Sequence, residues 1–243
     1  MQLLVVGAGE MGRWFAGRSG ADRVAFADRN PEVARDAAGE LEGADPVPLD
    51  TEDAFDVVCL AVPMSATPTA IETHAGRATE AVVDVSGEMR DAVEALESHT
   101  GGKASASFHP LFSASNAPGN VPIVTVRDGP PIDRLRSALG DGGNEVFETT
   151  VEAHDRAMET VQAKAHTAVL AYALVDEAVD PRFQTALSEP LSELAEGLTG
   201  NTPEVYAEIQ TRFEGSESVA EAAAEIAAAD HETFLELYEE AGE

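Results

Sequence analysis

A short apolar run, Gln2-Leu3-Leu4-Val5-Val6, breaks at Gly7-Ala8-Gly9-Glu10-Met11-Gly12 and continues into a helix-forming stretch, Glu10–Arg18. Strand, glycine turn and helix in that order constrain the fold more than any other feature, because each glycine meets a separate steric demand. Gly7 permits a tight turn, Gly9 lets a pyrophosphate approach the backbone, and Gly12 lets helix and strand pack closely. The helix N-terminus then offers unpaired N–H groups to an anion. Asp28 closes the next apolar run, Val24–Ala27, at 21 positions beyond Gly7 (28 minus 7), near the ~20 at which an acidic residue takes ribose hydroxyls. A carboxylate there repels a 2′-phosphate and favours NAD. The neighbouring Arg29 could pair with that phosphate, so NADP stays open. Glu10 and Met11 complete the expected cofactor loop.

The alternation continues. Strands are expected at Asp56–Val62, Ala81–Val85, Ala104–Phe108, Pro122–Val126 and Glu145–Thr149, with helices between them. Asn30-Pro31 opens one of these helices as N-cap and first-turn proline. This pattern predicts a doubly wound, mostly parallel α/β sheet. After Thr150 no strand is expected. Helices are predicted over Val151–Val179, Phe183–Leu198, Pro203–Phe213 and Ser218–Tyr238. The expected organisation is a Rossmann-type dinucleotide domain over residues 1–150 and an all-α domain over residues 151–243.

Charge narrows the partners. The chain has 45 acidic and 15 basic residues, a net charge of −30, and its only lysines are Lys103 and Lys164. Such a surface argues against nucleic acid or anionic membrane as partner and implies a halophilic source, where salt shortens the reach of the repulsion. No apolar run approaches the ~18 residues of a membrane span, and the N-terminus enters the first strand without a signal sequence. The expected setting is cytoplasmic. One cysteine, Cys59, within an apolar run, excludes an internal disulfide and reads as a buried thiol.

At this point several blocks resemble the prephenate dehydrogenases of tyrosine biosynthesis. The glycine loop and first helix, Val6 to Gly17, are similar to the family's own. So are Leu60-Ala61-Val62-Pro63-Met64, Asp84-Val85-Ser86, His99-Thr100-Gly101 and Phe108-His109-Pro110-Leu111-Phe112. In the helical half, Glu152-Ala153-His154-Asp155-Arg156-Ala157-Met158 and Val161-Gln162-Ala163-Lys164-Ala165-His166 match further blocks, as do Ala186 to Pro190 and Val205 to Ile209. The common order is more specific than any one block. Two departures stand out. Gly87 and Met89 replace the family's serine and lysine, and Gly197 falls where the family carries a carboxylate-binding arginine.

The resemblance implies NAD-dependent oxidative decarboxylation of prephenate to 4-hydroxyphenylpyruvate, with arogenate as the alternative substrate. Another small-acid Rossmann dehydrogenase, or a dinucleotide-binding regulator without turnover, are the further alternatives. It makes His109 the base and Ser86 its catalytic neighbour, places Ala61, Val62 and Pro63 against the cofactor, and implies a homodimer through the helical domain. His109 follows a predicted strand, so it belongs at the carboxyl edge of the sheet, where such folds bind ligands. His154, Met158, Gln162 and His166 recur at spacings of four, fanning over ~120° of an α-helix. That stripe points two imidazoles and an amide at an expected interdomain cleft. His154 and Gln162 are therefore expected at the substrate; Arg90, Arg156, Lys164, Arg182 and Arg212 are the candidates to replace the missing arginine, and Arg90 is taken as a substrate contact. His166 is either a substrate contact or a satisfied core histidine. His99 is expected to face a helix dipole, and His74 and His231 to lie on the surface. No metal is expected, because i, i+12 spacing does not converge on one ion.

Overall fold

A computed structural model describes residues 1–242. Eight strands form one sheet: β1 (Gln2–Val6), β2 (Arg23–Ala27), β3 (Ala44–Pro46), β4 (Phe55–Leu60), β5 (Ala78–Asp84), β6 (Ala104–Phe108), β7 (Asn120–Arg127) and β8 (Glu145–Glu148). Their order is β3-β2-β1-β4-β5-β6-β7-β8. All neighbours run parallel except β6 and β7. The chain therefore winds outward from β1 in one direction and then, from β4, in the other. The loops after β1 and β4 meet where the direction reverses, the usual ligand position in such sheets.

Five helices cover this sheet: α1 (Glu10–Arg18), α2 (Pro31–Glu40), α3 (Thr67–His74), α4 (Arg90–His99) and α5 (Pro130–Asp141). The period-two alternation of the strands decides which face each helix covers. Leu3, Val5, Phe26 and Cys59 pack with Phe15 of α1, Ala34 of α2 and Leu135 of α5. Leu4, Val6, Ala27 and Leu60 pack on the opposite face with Ile71 of α3 and Leu96 of α4. Cys59 is fully buried, as expected. His99 closes α4 at its C-terminus, and His231 is exposed. His74 departs from expectation. It is buried, its Nδ1 meets Arg77, and burial followed by that guanidinium lowers its pKa to about 4. Its position at the end of α3, directly above β5, is a tertiary fact that its sequence neighbours do not carry.

Two units divide at Asp155/Arg156. That boundary lies inside α6 (Val151–Met158), not before it. Among its described residues the second unit contains helices and no strand. A π-helical segment spans Glu159–Lys164, followed by α7 (Ala165–Val175), α8 (Ser188–Thr199), α9 (Pro203–Arg212), α10 (Ser216–Ala228) and α11 (His231–Glu240). The expected single helix to Val179 thus contains a widened turn and ends at Asp176, whose Oδ1 accepts the Tyr172 hydroxyl at 3.1 Å. The expected final helix is split, because Asp230 caps α11 by accepting the Thr233 N–H at 3.0 Å. No helix among the described residues is long and apolar enough to cross a membrane.

Candidate functional site: a dinucleotide cradle and a buried imidazole

The three glycines of the first loop occupy the three environments that their spacing predicts. Gly7 has φ +96°, and a Cβ there would lie 2.2 Å from the Ala61 carbonyl oxygen. A Cβ on Gly12 would lie 2.0 Å from the Gly7 carbonyl oxygen. Gly9 has nothing within 4 Å of such an atom. Two glycines are therefore dictated by the fold, and the third leaves open space over the N-terminus of α1. The Arg13 Nε–H donates to the Ala8 carbonyl at 2.9 Å and pins the loop from below. Asp28, just beyond β2, accepts the Ala8 N–H on Oδ2 at 2.9 Å and the Asn30 N–H on Oδ1 at 2.8 Å. Each oxygen keeps a lone pair for a sugar hydroxyl. Arg29 is exposed beside it. Ala61, Val62 and Pro63 follow β4, and the Ala61 N–H donates to the Val6 carbonyl. These residues fit a dinucleotide: an anion-binding helix end, a backbone surface that a Cβ at Gly9 would fill, and a carboxylate at ribose distance in sequence.

This division of labour gives a prediction. Gly7→Ala is expected to destabilise the fold by several kcal/mol, since it adds both a left-handed backbone and a backbone clash. Gly9→Ala is expected to leave the melting temperature nearly unchanged while raising the dinucleotide dissociation constant at least tenfold. Thermal melts and cofactor titration of both variants check this pair of outcomes.

The turns after β5 and β6 carry the second part of the site. His109 follows β6 and is buried. Its Nδ1 lies 2.8 Å from Nε2 of His154, and Nδ1 of His154 lies 2.8 Å from Oδ1 of Asp155. Thr150 places His154 there by capping α6: its hydroxyl accepts the Ala153 N–H at 3.2 Å. Arg90 begins α4, with its Nε 3.7 Å from Asp155 Oδ2. Burial, and secondarily His154, pushes the His109 pKa down to about 3, so its ring is held neutral. Ser86 is buried in the turn after β5, and its Oγ accepts the Glu88 N–H at 3.4 Å. A Cβ on Gly87 would sit 3.5 Å from His109 Nε2 and 2.9 Å from Met64 Sδ. Met64 thus takes up the room beside this glycine, and the fully buried Met89 leaves no place for an extended lysine.

Asp84, at the end of β5, stands in one of the matching blocks but was given no role from the sequence. Its Oδ1 accepts the Ser86 N–H and the Ser107 hydroxyl, both at 3.0 Å, while Oδ2 is buried with no hydrogen-bond partner. Burial raises its pKa from 3.8 to about 7. Because the folded state holds the proton more tightly, stability is lost as pH rises from about 4 to about 7, by up to a few kcal/mol. Asp84→Asn removes that ionisation. Its melting temperature is expected to match the parent near pH 4 and to exceed it increasingly toward pH 8.

Gln162 and His166 belong to the second unit. His166 packs edge-on against Tyr206, ring centroids 4.9 Å apart, and burial lowers its pKa. Its Nδ1 is buried without a hydrogen-bond partner. The π segment between Met158 and His166 underwinds the helix by its i→i+5 bonding, so the four spaced residues do not form an even α-helical fan. Within the first unit, His109, Ser86, Arg90 and His154 come together around the ends of β5 and β6. The sequence reading missed the roles of Asp84, Glu88 and Asp155. The adjacent His154-Asp155 pair was visible, but a side chain bonding its immediate neighbour has no sequence signature.

Residues 2–88 match the family described as "NADP oxidoreductase coenzyme F420-dependent". Over an alignment of 276 residues, the chain is 29% identical to a 4-amino-4-deoxyprephenate dehydrogenase from Streptomyces pristinaespiralis, covering 98% of this chain and 88% of that protein. The chain is thus similar over nearly its whole length to a dehydrogenase of a prephenate-like substrate. Solved prephenate and arogenate dehydrogenases share the fold. The prephenate dehydrogenase of Aquifex aeolicus, in complex with hydroxyphenyl propionate and NAD⁺, superposes with TM-score 0.67 at 19% identity, covering 92% of this chain and 86% of that one. The arogenate dehydrogenase of Synechocystis gives 0.62 at 18% identity over 91% of this chain and 86% of that one. Each of these three relatives is a dehydrogenase.

Proposed function

We propose that this chain oxidises prephenate with NAD⁺ and releases carbon dioxide, giving 4-hydroxyphenylpyruvate for tyrosine biosynthesis. The observation that carries this reading is the neutral, buried His109 imidazole at the carboxyl end of β6, in the same unit as the glycine cradle. The NAD⁺ held by the Aquifex aeolicus relative supports the choice of cofactor. Gly7, Ala8, Gly9, Glu10, Met11 and Gly12 would hold its pyrophosphate and Asp28 its ribose, with Ala61 to Pro63 beside it. A bound nicotinamide supplies the hydride acceptor. His109 takes the proton of the ring hydroxyl as the hydride leaves the same carbon. Loss of the ring carboxylate as carbon dioxide makes the ring aromatic, and the proton returns to the phenolate oxygen. Ser86 lies in the turn after β5, and Arg90, at the start of α4, is assigned to the substrate.

One observation favours a second reading. Gly197 stands where the resemblance expects a carboxylate-binding arginine, and the Streptomyces relative is a 4-amino-4-deoxyprephenate dehydrogenase, whose substrate carries an amine in place of the ring hydroxyl. Arogenate carries its amine on the side chain. A panel of prephenate, arogenate and 4-amino-4-deoxyprephenate with NAD and NADP, in molar potassium chloride, separates these readings. Prephenate with NAD is expected to give the highest kcat/KM, and preference for either amine would replace the substrate assignment. The helical unit supports a homodimer. Leu174, Phe183, Leu187 and Leu194 are each more than half exposed on it, and a second copy covers such a surface without new chemistry. Light scattering is expected to give twice the monomer mass.

A further inference from the structure

We propose that His154 and Asp155 are positioning residues for His109: they fix which ring nitrogen carries its proton, and they receive the positive charge when it accepts another. The proposal rests on the reading of His109 as the base, and it revises the expectation that His154 touches the substrate.

The assignment follows from one end of the chain of contacts. Asp155 Oδ1 lies 2.8 Å from His154 Nδ1, and an ionised carboxylate only accepts. Nδ1 of His154 therefore carries a hydrogen. In the neutral form of His154 that is its one N–H, and Nε2 is then a lone pair. That Nε2 lies 2.8 Å from Nδ1 of His109, and two ring nitrogens at this distance need one hydrogen between them. His109 consequently donates its Nδ1–H to His154. What remains on His109 is an unprotonated Nε2, the ring nitrogen on the Gly87 side. The basic nitrogen is set by a carboxylate two groups away.

The same contacts move charge. As the substrate O–H bond breaks, its proton joins Nε2 of His109 and the Nδ1 proton passes to Nε2 of His154. His154 becomes the imidazolium, facing the Asp155 carboxylate, and the shift reverses when the phenolate oxygen is reprotonated. No electrons move in this relay. It answers a difficulty in the site, since burial leaves His109 alone a weak proton acceptor. His154 is also wholly buried, but its contact with Asp155 places a carboxylate where the charge arrives. The other charged groups around the pair are Arg90, 3.7 Å from Asp155, and Glu88 with Asp91 on the turn into α4. Burial first, and then Asp91 and Asp155, hold the Glu88 carboxyl above its ordinary pKa.

Ring-nitrogen NMR of the isotope-labelled full chain in molar potassium chloride tests the assignment without any substrate. His109 and His154 are both expected in the Nδ1–H tautomer, with resonances identified by their loss in single histidine variants. A His109 ring protonated on Nε2 overturns the proposal. In turnover, Asp155→Asn keeps an accepting oxygen and removes the charge. It is expected to lower kcat roughly tenfold or more, with KM and NAD affinity nearly unchanged and the pH profile of kcat displaced. Wild-type kcat and pH profile in a folded Asp155→Asn variant also overturn it. If the wild-type chain turns over none of the three substrates, the function reading fails, while the tautomers still decide the arrangement of the rings.

Discussion

Replacing His109 with asparagine is expected to lower turnover of prephenate by ~10²–10⁴, the usual loss when a general base is removed. Asparagine matches the ring in polarity and approximate size, so the end of β6 should persist. The glycine cradle lies on other loops, so NAD affinity should hardly change. A group used mainly in the transition state lowers kcat more than it raises KM. Burial and His154 place the His109 pKa near 3 instead of 6.5. The acid limb of kcat/KM in the parent should accordingly fall well below the ordinary histidine range, and the variant should lack it. Steady-state kinetics across pH with a parallel cofactor titration measure all three quantities. Near-parental turnover in the variant would make His109 structural and move the search for the base to His166.

The second large effect is on folding. A net charge of −30 on 243 residues repels itself across the whole surface, and α10 shows the pattern locally. Glu217, Glu221 and Glu225 recur every four residues on it and are exposed, a spacing at which like charges oppose each other. Raising salt from 0.1 M to 1 M shortens the Debye length from ~10 Å to ~3 Å. At roughly 2–4 °C per kcal/mol for a chain of this size, relief of about 4 kcal/mol raises the melting temperature by about 8–16 °C. Melts in increasing potassium chloride should climb steeply toward molar salt. A melting temperature flat over that range would sink the inference of a halophilic source.

Much of the first unit was legible because its information is local. The glycine spacing predicted a tight turn at Gly7 and close packing at Gly12, and the alternation of short apolar runs with helical stretches predicted the doubly wound, mostly parallel sheet. The antiparallel turn of β7 and the short edge strand β3 were not readable, since pairing direction and three-residue edges leave little periodic signal. His74 illustrates a different limit. Its burial depends on how α3 packs on the rest of the unit, which the local pattern of the chain does not carry. The functional site divides in the same way. His109 could be placed from the strand that precedes it, whereas its partners come from α6, 45 positions further on (154 minus 109), and only the fold brings them to 2.8 Å. The π segment was hidden because nothing in Glu159–Lys164 departs from ordinary helix formers.

The central claim is that this chain couples hydride transfer from prephenate to decarboxylation. Its most direct test is one measurement on the wild-type chain in molar potassium chloride. Prephenate is mixed with NAD⁺, and reduced nicotinamide and carbon dioxide are followed together. The account predicts that both appear, one to one, with 4-hydroxyphenylpyruvate as the remaining product. A chain that binds the dinucleotide yet forms no reduced nicotinamide from prephenate would contradict it.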